Sequence, residues 1–544
     1  MADMTGGQAI VRTLTNHGID TIFGLPGVQL DNTFDALYEA KNQLRTIHTR
    51  HEQGAAYMAL GYAQASGKVG ACIVGPGPGL LNAGAALCTA YGSNVPVICI
   101  AGQIPSNQIG VGIGATHEIV DQTSAMRGVV KWVGRADTPG EAPGVLKEAF
   151  TQMLGDRTQP VVFEMAPDMM GKVEDVNLLD PEAYDTVPEP DEDLLEKAAK
   201  LLGEAEKPMI FVGSGVFGSE AELQNLAETL EAPVVMSRTG RGALTDRHHL
   251  AQTMITGQSL WEDADVALVI GTRFSSPGLA WGRETEVKLI RIDVDARQAK
   301  LPREADITVI SSAKKALPAL TDKIGPHNRK RDSRKSELDA AKADTTAKLE
   351  GLDPQYGFGR VLRDALPEDG VLVTDVTQMA TYMQNWCPVY QPRTLITPGY
   401  QATLGYGYPT ALGAKVALPD KKVLCIAGDG GFMFNVQELS SAVAHGIDVV
   451  CVVFADKAYG NVKRFQKEGY GGRHIGVDLH NPDFAKMAET YGMTGIHADG
   501  PEALAAALKE TMDAPGPALI EVPIGEVPNT WSLIKRPSSA GDKK

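Results

Sequence analysis

The stretch Lys422-Val-Leu-Cys-Ile-Ala-Gly428-Asp429-Gly430-Gly431-Phe-Met-Phe-Asn435 is the most informative part of this chain. Its apolar run 423–427 predicts a buried strand that leads directly into a glycine-rich turn and then into a helix. Glycines let the backbone approach a ligand closely, and the first N–H groups of a helix can bind phosphate. The carboxylate of Asp429 adds a hard oxygen ligand for Mg²⁺ or Ca²⁺. Taken alone, the stretch is also compatible with a plain tight turn.

A second strand end strengthens the metal interpretation. The apolar run 449–454 is followed by Ala455-Asp456-Lys457-Ala458, which places Asp456 27 positions after Asp429. Parallel strands bring their carboxyl ends to one edge of a sheet, where α/β proteins bind ligands. The two carboxylates are therefore expected to converge on one cation. The alternative is that Asp456 only caps the next helix.

Short apolar runs of this kind recur along the chain, each followed by a segment of helical character. They cover residues 70–74, 95–101, 160–165, 208–212, 265–270, 287–293, 371–375, 422–427, 448–454 and 517–522. Such runs, alternating with amphipathic segments, are typical of parallel sheets covered by helices on both faces. The pattern predicts an α/β fold with doubly wound parallel sheets.

Two stretches interrupt the pattern and predict domain boundaries. Residues 166–192 are rich in proline and acidic residues, as in an extended linker, and residues 323–357 contain no strand-like run. We therefore predict an N-terminal domain at 1–168, a middle domain at 190–322 and a C-terminal domain at 355–544. The last residues, 537–544, are expected to form a disordered tail.

The composition of the chain limits the kinds of partner and the compartment that we expect for it. The net charge of −16 argues against nucleic acid, because phosphates repel an acidic surface. One basic cluster, Arg329–Lys335, contains interleaved acidic residues and is interpreted as a solvated helical linker. No signal peptide or membrane span is indicated, and the six scattered cysteines suggest a reducing compartment. These features predict a soluble cytoplasmic protein.

The two strand ends resemble the metal motif of thiamine diphosphate-dependent enzymes, in which Gly-Asp-Gly is followed at a similar spacing by an asparagine. Gly428-Asp429-Gly430 and the spacing match, but Asp456 stands where the family has asparagine. The resemblance implies metal ligation by Asp429, by Asp456 and by the backbone carbonyl of Ala458. A carboxylate in place of an amide is still a hard oxygen donor.

The N-terminal segment supplies the partner that this family requires. Arg50-His51-Glu52-Gln53-Gly54-Ala55-Ala56-Tyr57-Met58-Ala59 resembles the family's R-H-E-x-x-A-x-x-A helix. The resemblance implies that Glu52 hydrogen-bonds N1′ of the cofactor's aminopyrimidine and promotes loss of the C2 proton. The alternative for Glu52 is an ordinary exposed helical glutamate.

Several further stretches resemble cofactor-binding loops of the family. They are Phe23–Gly27, Gly75–Gly79, Ala101–Pro105 and Thr403-Leu404-Gly405. The resemblance implies that Leu404 replaces a methionine that supports the bent cofactor, and that the carbonyl of Ala402 accepts from the 4′-amino group. It also implies that Thr377 and Gln378 approach the diphosphate. The implied architecture has pyrimidine-binding, middle and diphosphate-binding domains.

The middle segment is less informative. Its glycine-rich run Phe211–Gly218 resembles domains that bind FAD, ADP or nothing in different relatives, and all three possibilities stay open. Acetohydroxyacid synthases carry R-F-D-D-R in this domain, whereas this chain has Arg273-Phe274-Ser275-Ser276-Pro277. The second arginine, which grips the acceptor ketoacid, is missing, and this argues against branched-chain biosynthesis.

Matching flanking motifs predicts the substrate pocket. Its expected residues are Val28, Gln29, His117, Glu118, Asn461 and Val462. Gln29 and His117 are candidates to carry protons or to hold a developing oxyanion. For His117 the alternative is an ordinary loop histidine bound to neighbouring backbone.

The sequence thus resembles the acetolactate synthase-like branch, which also includes benzaldehyde lyase and oxalyl-CoA decarboxylase. This implies a decarboxylase or carboligase acting on a small 2-oxo acid or acyloin. A 2-hydroxyacyl-CoA or oxalyl-CoA type lyase is the main alternative, and a catalytically idle binding protein with the same fold is the other. The resemblance also implies a homodimer or homotetramer, with Glu52 and Asp429 meeting across a subunit interface.

Overall fold

Three parallel six-stranded sheets organise the chain. The computed structural model describes residues 2–184, 186–283 and 285–535. The N-terminal sheet contains, in spatial order, Arg45–His48, Thr21–Gly24, Gly70–Val74, Val97–Gly102, Val161–Met165 and Trp132–Ala136. The middle sheet contains Ala251–Gln252, Val234–Met236, Met209–Val212, Val266–Ile270, Lys288–Asp293 and Ile307–Ile310. The C-terminal sheet contains Leu395–Ile396, Val371–Thr374, Val423–Gly428, Val450–Ala455, Ala518–Pro523 and Thr494–His497.

Helices cover both faces of these sheets. In the first part of the chain they are Gly6–Asn16, Asp31–Glu39, Glu52–Ser66, Pro78–Ser93, Gln122–Arg127, Ala142–Leu154 and Pro167–Gly171. Around the middle sheet they are Glu192–Glu204, Glu220–Leu230, Met254–Leu260, Ser275–Ala280 and Ala313–Ile324. The remaining helices are Lys335–Glu350, Gln355–Asp364, Gln378–Trp386, Gly407–Ala417, Asp429–Phe432, Leu439–His445, Gly460–Gly469, Phe484–Thr490 and Pro501–Thr511. The predicted α/β class is confirmed.

Each of the ten apolar runs forms a strand, whereas the shorter and more polar strands were not predicted. The edge strands Arg45–His48 and Thr494–His497 are examples, because partly exposed edges do not need a continuous apolar run. The segment 166–192 is not wholly extended: it contains the helix Pro167–Gly171 and the strand Val173–Val176, which pairs antiparallel with Ala2–Thr5. The exact domain boundaries remain a prediction, and the expected tail 537–544 lies outside the described residues.

The basic cluster is only partly the solvated linker that its composition suggested, because Arg329, Lys330 and Lys335 are exposed whereas Arg331 and Arg334 are not. Arg331 donates to the carbonyl oxygens of Leu202, Gly203 and Ala205 at the end of the helix Glu192–Glu204. Arg334 is buried and paired with Glu337. Local charge alternation cannot show that Arg331 satisfies the open carbonyls of a distant helix end. Among the described residues, no helix is both long and apolar enough to cross a membrane.

The N-terminal and C-terminal domains share one hydrophobic core across a helix–helix contact. The helix Glu52–Ser66 packs directly on the helix Gly407–Ala417. A Cβ on Gly61 would collide with the carbonyl oxygen of Thr410, and a Cβ on Gly413 with that of Met58. Glycine at both crossing points therefore lets the backbones touch, and this contact fixes the beginning of the helix at Glu52.

We expect Gly413→Ala to lower the free energy of unfolding by about 1–3 kcal/mol, because the added methyl group has no room against the backbone of Met58. Thermal or denaturant unfolding measures the change. The matched control is Gly84→Ala in the helix Pro78–Ser93, where a Cβ would meet nothing within 4 Å. That substitution should be neutral or slightly stabilising. Equal effects of the two substitutions would contradict the close helix contact.

Candidate active site

The predicted pair of carboxylates lies at the carboxyl edge of the C-terminal sheet. Asp429 follows the strand Val423–Gly428 and Asp456 follows the adjacent parallel strand Val450–Ala455. The Asp429 side chain is only 1% exposed and accepts hydrogen bonds from the N–H groups of Gly430 and Lys457, each at 2.8 Å. The strand register thus brings together two acids that are distant in sequence.

The two carboxylates repel each other. Burial, followed by the charge of neighbouring Asp429, raises the pKa of Asp456 to about 6. One N–H group, that of Ala458, donates to Asp456 at 3.1 Å and offsets part of this effect. A divalent cation between the two side chains would relieve the repulsion, and hard carboxylate oxygens are the donors that Mg²⁺ or Ca²⁺ prefers. The donor set therefore fits the predicted metal.

A side chain that sequence reasoning missed also contacts this pair. The amide of Asn481 donates to Asp429 Oδ2 at 2.6 Å. Asn481 lies in a loop after the helix Gly460–Gly469 and carries no motif, so no local pattern could have found it. Ala458 is buried next to the pair, and Lys457 adopts a positive φ of 56° that turns the chain there.

Thr377 and Gln378, the residues predicted to approach the diphosphate, lie at the beginning of the helix Gln378–Trp386. Thr377 is the residue before this helix, and its Cβ would lie 3.3 Å from a Cβ on Gly428. The side-chain amide of Gln378 donates to Asn461 Oδ1. Two predicted residues from different categories, cofactor and substrate, are therefore in direct contact. The free N–H groups of the first helical turn face the same sheet edge as Asp429.

Asp375 is a further buried acid at this edge and is not among the predicted site residues. It directly follows the strand Val371–Thr374, in the same way that Asp429 follows its own strand. Burial raises the pKa of Asp375 to about 6, although backbone N–H groups of Val376, Gly407 and Gly405 partly stabilise the charge. The sequence signal that could have identified Asp375 is its position immediately after a buried strand.

The turn expected to support the cofactor is held in an unusual backbone conformation. Ala402 has a φ of 48° and Gly405 a φ of 83°. The amide of Asn435 donates to the carbonyl of Gly405 at 2.8 Å and approaches Gln53 Oε1 at 3.4 Å. Asn435 thus links the turn to the residue that follows Glu52. Leu404 is partly buried, whereas Ala402 is exposed.

Glu52 is the first residue of the helix Glu52–Ser66. Its Oε2 accepts from the side-chain amide of Asn82 at 3.0 Å, and Gly79 lies beside its Oε1. The loop before Glu52 is fixed by Glu438, a buried acid that accepts from the N–H of Arg50 at 3.2 Å. Asn82 and Glu438 were both missed, because each becomes a neighbour only through tertiary packing.

The predicted pocket residues of the N-terminal domain are also neighbours. Gln29 is buried and donates to the carbonyl of Thr116 at 3.4 Å, next to His117. His117 has a φ of 69° and is exposed. The carboxylate of Glu118 binds the N–H groups of its own loop at Gly112, Gly114 and Ala115, and these bonds lower its pKa. Its substrate role remains a prediction.

Val28 and Val462, the apolar pocket candidates, are 74% and 49% exposed.

The predicted site residues form two groups, one on each domain. Glu52, Gln29 and His117 lie at the N-terminal sheet, whereas the Asp429 and Asp456 group lies at the C-terminal sheet. Among the described residues, no hydrogen bond joins Glu52 directly to Asp429.

In the middle domain, the loops at the two central strand ends touch. The N–H of Gly215 donates to the carbonyl of Gly271 at 3.3 Å, and the two glycines pack backbone against backbone. Arg273, from the run that lacks the second arginine, donates to the carbonyl of Gly92 at 2.8 Å and stacks on Tyr400. The residues Ser275–Ala280 form a short helix.

Comparisons with protein families give a consistent result. Three family models match: the N-terminal TPP binding domain of thiamine pyrophosphate enzymes at residues 4–125, the central domain at 195–320 and the C-terminal TPP binding domain at 375–522. Each model overlaps a different one of the three sheets, and the central-domain match includes every strand of the middle sheet.

Several curated proteins resemble the chain over nearly its full length. A probable acetolactate synthase large subunit of Methanocaldococcus jannaschii is 32% identical, covering 96% of this chain and 92% of the relative. The acetolactate synthase isozyme 3 large subunit of Escherichia coli is 30% identical over 94% and 93%, respectively. A probable 2-ketoarginine decarboxylase of Pseudomonas aeruginosa is 31% identical over 95% and 94%.

We expect Asp456→Asn to stabilise the metal-free protein at pH 7.5 by about 1 kcal/mol, a value reduced for the partial exposure of this carboxylate. The folded-state pKa is raised above its ordinary value, so ionisation of Asp456 costs stability as the pH rises through about 6. The gain should therefore fade at pH 5. Thermal unfolding without metal, at both pH values, measures it.

The same substitution should reduce the increase in melting temperature that added Mg²⁺ produces, because one anionic ligand is lost. Asp513→Asn is the matched control, since Asp513 is exposed and paired with Lys422, at the opposite end of the strand that leads to Asp429. An unchanged Mg²⁺ effect in Asp456→Asn would rule out ligation by this side chain.

Proposed function

Because the chain belongs to the thiamine diphosphate-dependent enzyme family, we propose that it is a decarboxylase or carboligase acting on a small 2-oxo acid or acyloin. The observation that carries this proposal is the buried carboxylate of Asp429 beside Asp456 at the sheet edge. Two adjacent acids without a cation are costly to bury, and their presence fits a site built for a metal–diphosphate group.

The residues of the C-terminal domain would hold the cofactor. Asp429, Asp456 and the carbonyl of Ala458 would ligate the metal, which we propose to be Mg²⁺. The beginning of the helix at Thr377 and Gln378, with Gly428 and Gly430, would receive the diphosphate. When bound, thiamine diphosphate supplies a nucleophilic carbon and an electron sink for cleavage or formation of a bond next to a carbonyl.

Glu52 would hold the proton shared with N1′ of the aminopyrimidine. Its position at the beginning of a helix is fixed by the core contact and by Glu438, which anchors the preceding loop. Asn82 holds Oε2. The carbonyl of Ala402, presented by a backbone with positive φ, would accept from the 4′-amino group.

The substrate would lie between the two groups of residues. Gln29 and His117 are proposed to orient the substrate or carry its protons. The Gln378–Asn461 amide pair gives the opposite wall a polar character, which suits a polar substrate group. Pro277 stands in place of the acceptor-gripping arginine, so we propose a reaction other than branched-chain acetohydroxyacid synthesis.

Assembly is part of the proposal. In one chain, Glu52 contacts Asn82 whereas Asp429 contacts Asn481. Several large apolar side chains close to the site residues are exposed: Val28, Leu81, Met433, Phe434 and Val462. A second copy would cover these side chains and bring Glu52 of one subunit towards Asp429 of the other. We propose a homodimer as the minimal unit and a homotetramer as the full assembly.

Two further features are proposed. The six cysteines are free thiols, which fits a reducing compartment such as the cytoplasm.

In the middle domain, the touching loops at Gly215 and Gly271 leave little room for a nucleotide at the strand ends. Binding of FAD or ADP would require these loops to separate, and the absorbance and nucleotide content of purified protein distinguish a bound nucleotide from a structural domain.

The decisive experiment for this proposal is CO₂ release from a panel of 2-oxo acids, including pyruvate and 2-ketoarginine, with thiamine diphosphate and Mg²⁺ present. We expect Glu52→Gln to lower the rate roughly 10²- to 10⁴-fold, the usual contribution of a positioned acid–base group. The matched control is Glu39→Gln, a solvent-facing substitution on the helix Asp31–Glu39, which should retain the full rate.

Absence of CO₂ release from every acid would contradict decarboxylation and favour an acyloin or acyl-CoA lyase, to be assayed next with those substrates. If exchange of the cofactor's C2 proton were also absent, the protein would be a binding protein with an idle site.

Sedimentation analysis tests the assembly. We expect a dimer or tetramer whose activity per chain is lost when dilution produces monomers. Phe434→Glu should weaken association, because it places a charge in an exposed apolar position next to the turn at Gly405. Val173→Glu, at a similarly exposed valine on the small antiparallel sheet, is the control. A fully active monomer would overturn the shared site.

A further inference from the structure

The middle domain contributes a buried arginine to the C-terminal domain. Arg241 follows the short helix Arg238–Gly240 and is only 3% exposed. Its guanidinium pairs with Asp246, which is also largely buried. The same guanidinium donates to the carbonyl oxygens of Gln384 at 3.0 Å and Cys387 at 2.9 Å. Arg241 therefore joins the middle domain to backbone carbonyls of the C-terminal domain, while its ion pair with Asp246 lies within the middle domain.

The carbonyls of Gln384 and Cys387 lie at the end of the helix Gln378–Trp386. The last carbonyls of a helix have no partner within the helix, and a cation there is stabilised by the helix dipole. Asp246 completes the arrangement, because it also accepts from the N–H of Val389 at 2.7 Å. The pair thus fixes both the last turn of the helix and the chain that leaves it.

The opposite end of this nine-residue helix begins at the proposed diphosphate site. Thr377 precedes it, Gln378 is its first residue and Gly428 lies alongside. A second contact holds the helix to the sheet, since the Gln384 amide donates to Thr374 Oγ1 at 2.9 Å. Because a helix behaves as a rigid rod, its end at Arg241 sets where its first N–H groups point.

We propose that Arg241, together with Asp246, is a positioning residue for diphosphate binding, acting from the middle domain through the helix Gln378–Trp386. This inference rests on the proposed function, since it assumes that the first turn of the helix receives the cofactor's diphosphate. It gives the middle domain a role in cofactor binding that does not depend on any nucleotide of its own.

The physical basis is twofold. The guanidinium neutralises the negative end of the helix dipole, which keeps the positive end available to an anion. It also clamps the helix in register with the sheet edge, so that the N–H groups do not have to be ordered when the anion binds. Loss of the clamp should therefore weaken anion binding without changing the groups that perform the reaction.

The test compares the variants Arg241→Met, Arg241→Lys and the double variant Arg241→Met/Asp246→Asn in the full-length protein. In the double variant no buried charge is left unpaired, and the new side-chain amide would still offer an oxygen to the N–H of Val389. The folded state is therefore retained even if the single Arg241→Met variant is unstable. Arg241→Lys keeps the positive charge but lacks the two donor nitrogens of the guanidinium, so it should retain part of the diphosphate affinity that Arg241→Met loses.

The probes are thiamine diphosphate, inorganic pyrophosphate and unphosphorylated thiamine, each titrated calorimetrically with Mg²⁺ present. We expect the double variant to bind thiamine diphosphate and pyrophosphate roughly fivefold to thirtyfold more weakly, the range for a partly buried cation at a helix end. Binding of thiamine, which has no phosphate, should not change. With saturating cofactor, kcat should remain close to that of the unsubstituted protein.

Arg247→Met is the matched control. Arg247 also joins the middle and C-terminal domains, through Glu368 and the ring of Tyr390, but it is exposed and does not touch the helix Gln378–Trp386. It should leave all three affinities unchanged. Equal losses in Arg247→Met and in the double variant would show a general effect of the domain junction and overturn the inference.

The outcomes separate this inference from the proposed function. If the unsubstituted protein binds neither thiamine diphosphate nor pyrophosphate, the proposed function itself fails. If the unsubstituted protein binds both and the double variant binds them equally well, the cofactor assignment stands and the positioning role of Arg241 is wrong. A loss of thiamine affinity equal to the loss of pyrophosphate affinity would likewise contradict a role directed at the diphosphate.

Discussion

The contact between the helices Glu52–Ser66 and Gly407–Ala417 holds the N-terminal and C-terminal domains together, and the geometry of the site follows from it. Its close approach requires glycine at Gly61 and Gly413, because any side chain would strike the facing backbone. One helix begins at Glu52, and the other begins just after the turn that contains Ala402 and Gly405. The packing of one core therefore fixes both Glu52 and the turn with Ala402, and in the proposed dimer each of them faces a cofactor site at the subunit interface.

Electrostatics at the neighbouring sheet edge opposes stability and favours binding. Asp375, Asp429 and Asp456 are acids at the ends of three adjacent strands, and burial raises the pKa of both Asp375 and Asp456 to about 6. A protein optimised only for stability would not keep these charges together. A divalent cation can neutralise these charges, and the N–H groups of a helix can bind the accompanying anion. The repulsion that destabilises the free protein is then relieved on binding, which favours binding of a metal-bound anion.

The middle domain has a place in this arrangement even without a ligand of its own. Arg273 stacks on Tyr400, two residues before Ala402, and Arg241 caps the helix that begins at Gln378. Both arginines reach out of their own domain to backbone carbonyls or an aromatic ring. The middle domain thus contacts both the turn and the helix of the C-terminal domain that are proposed to bind the cofactor.

Local sequence was enough to predict the α/β class, the ten buried strands and the positions of Asp429 and Asp456, because each depends on periodicity or on residues adjacent to a strand end. Glu52 was predicted only from the resemblance of its helix to a family motif. Tertiary packing decided that Asn82 contacts Glu52, that Asn481 contacts Asp429 and that Arg331 and Arg241 cap distant helices. These partners lie far apart in the chain and carry no periodic pattern. Hydrogen-bond satisfaction of buried groups selects them only once the strands and helices have packed.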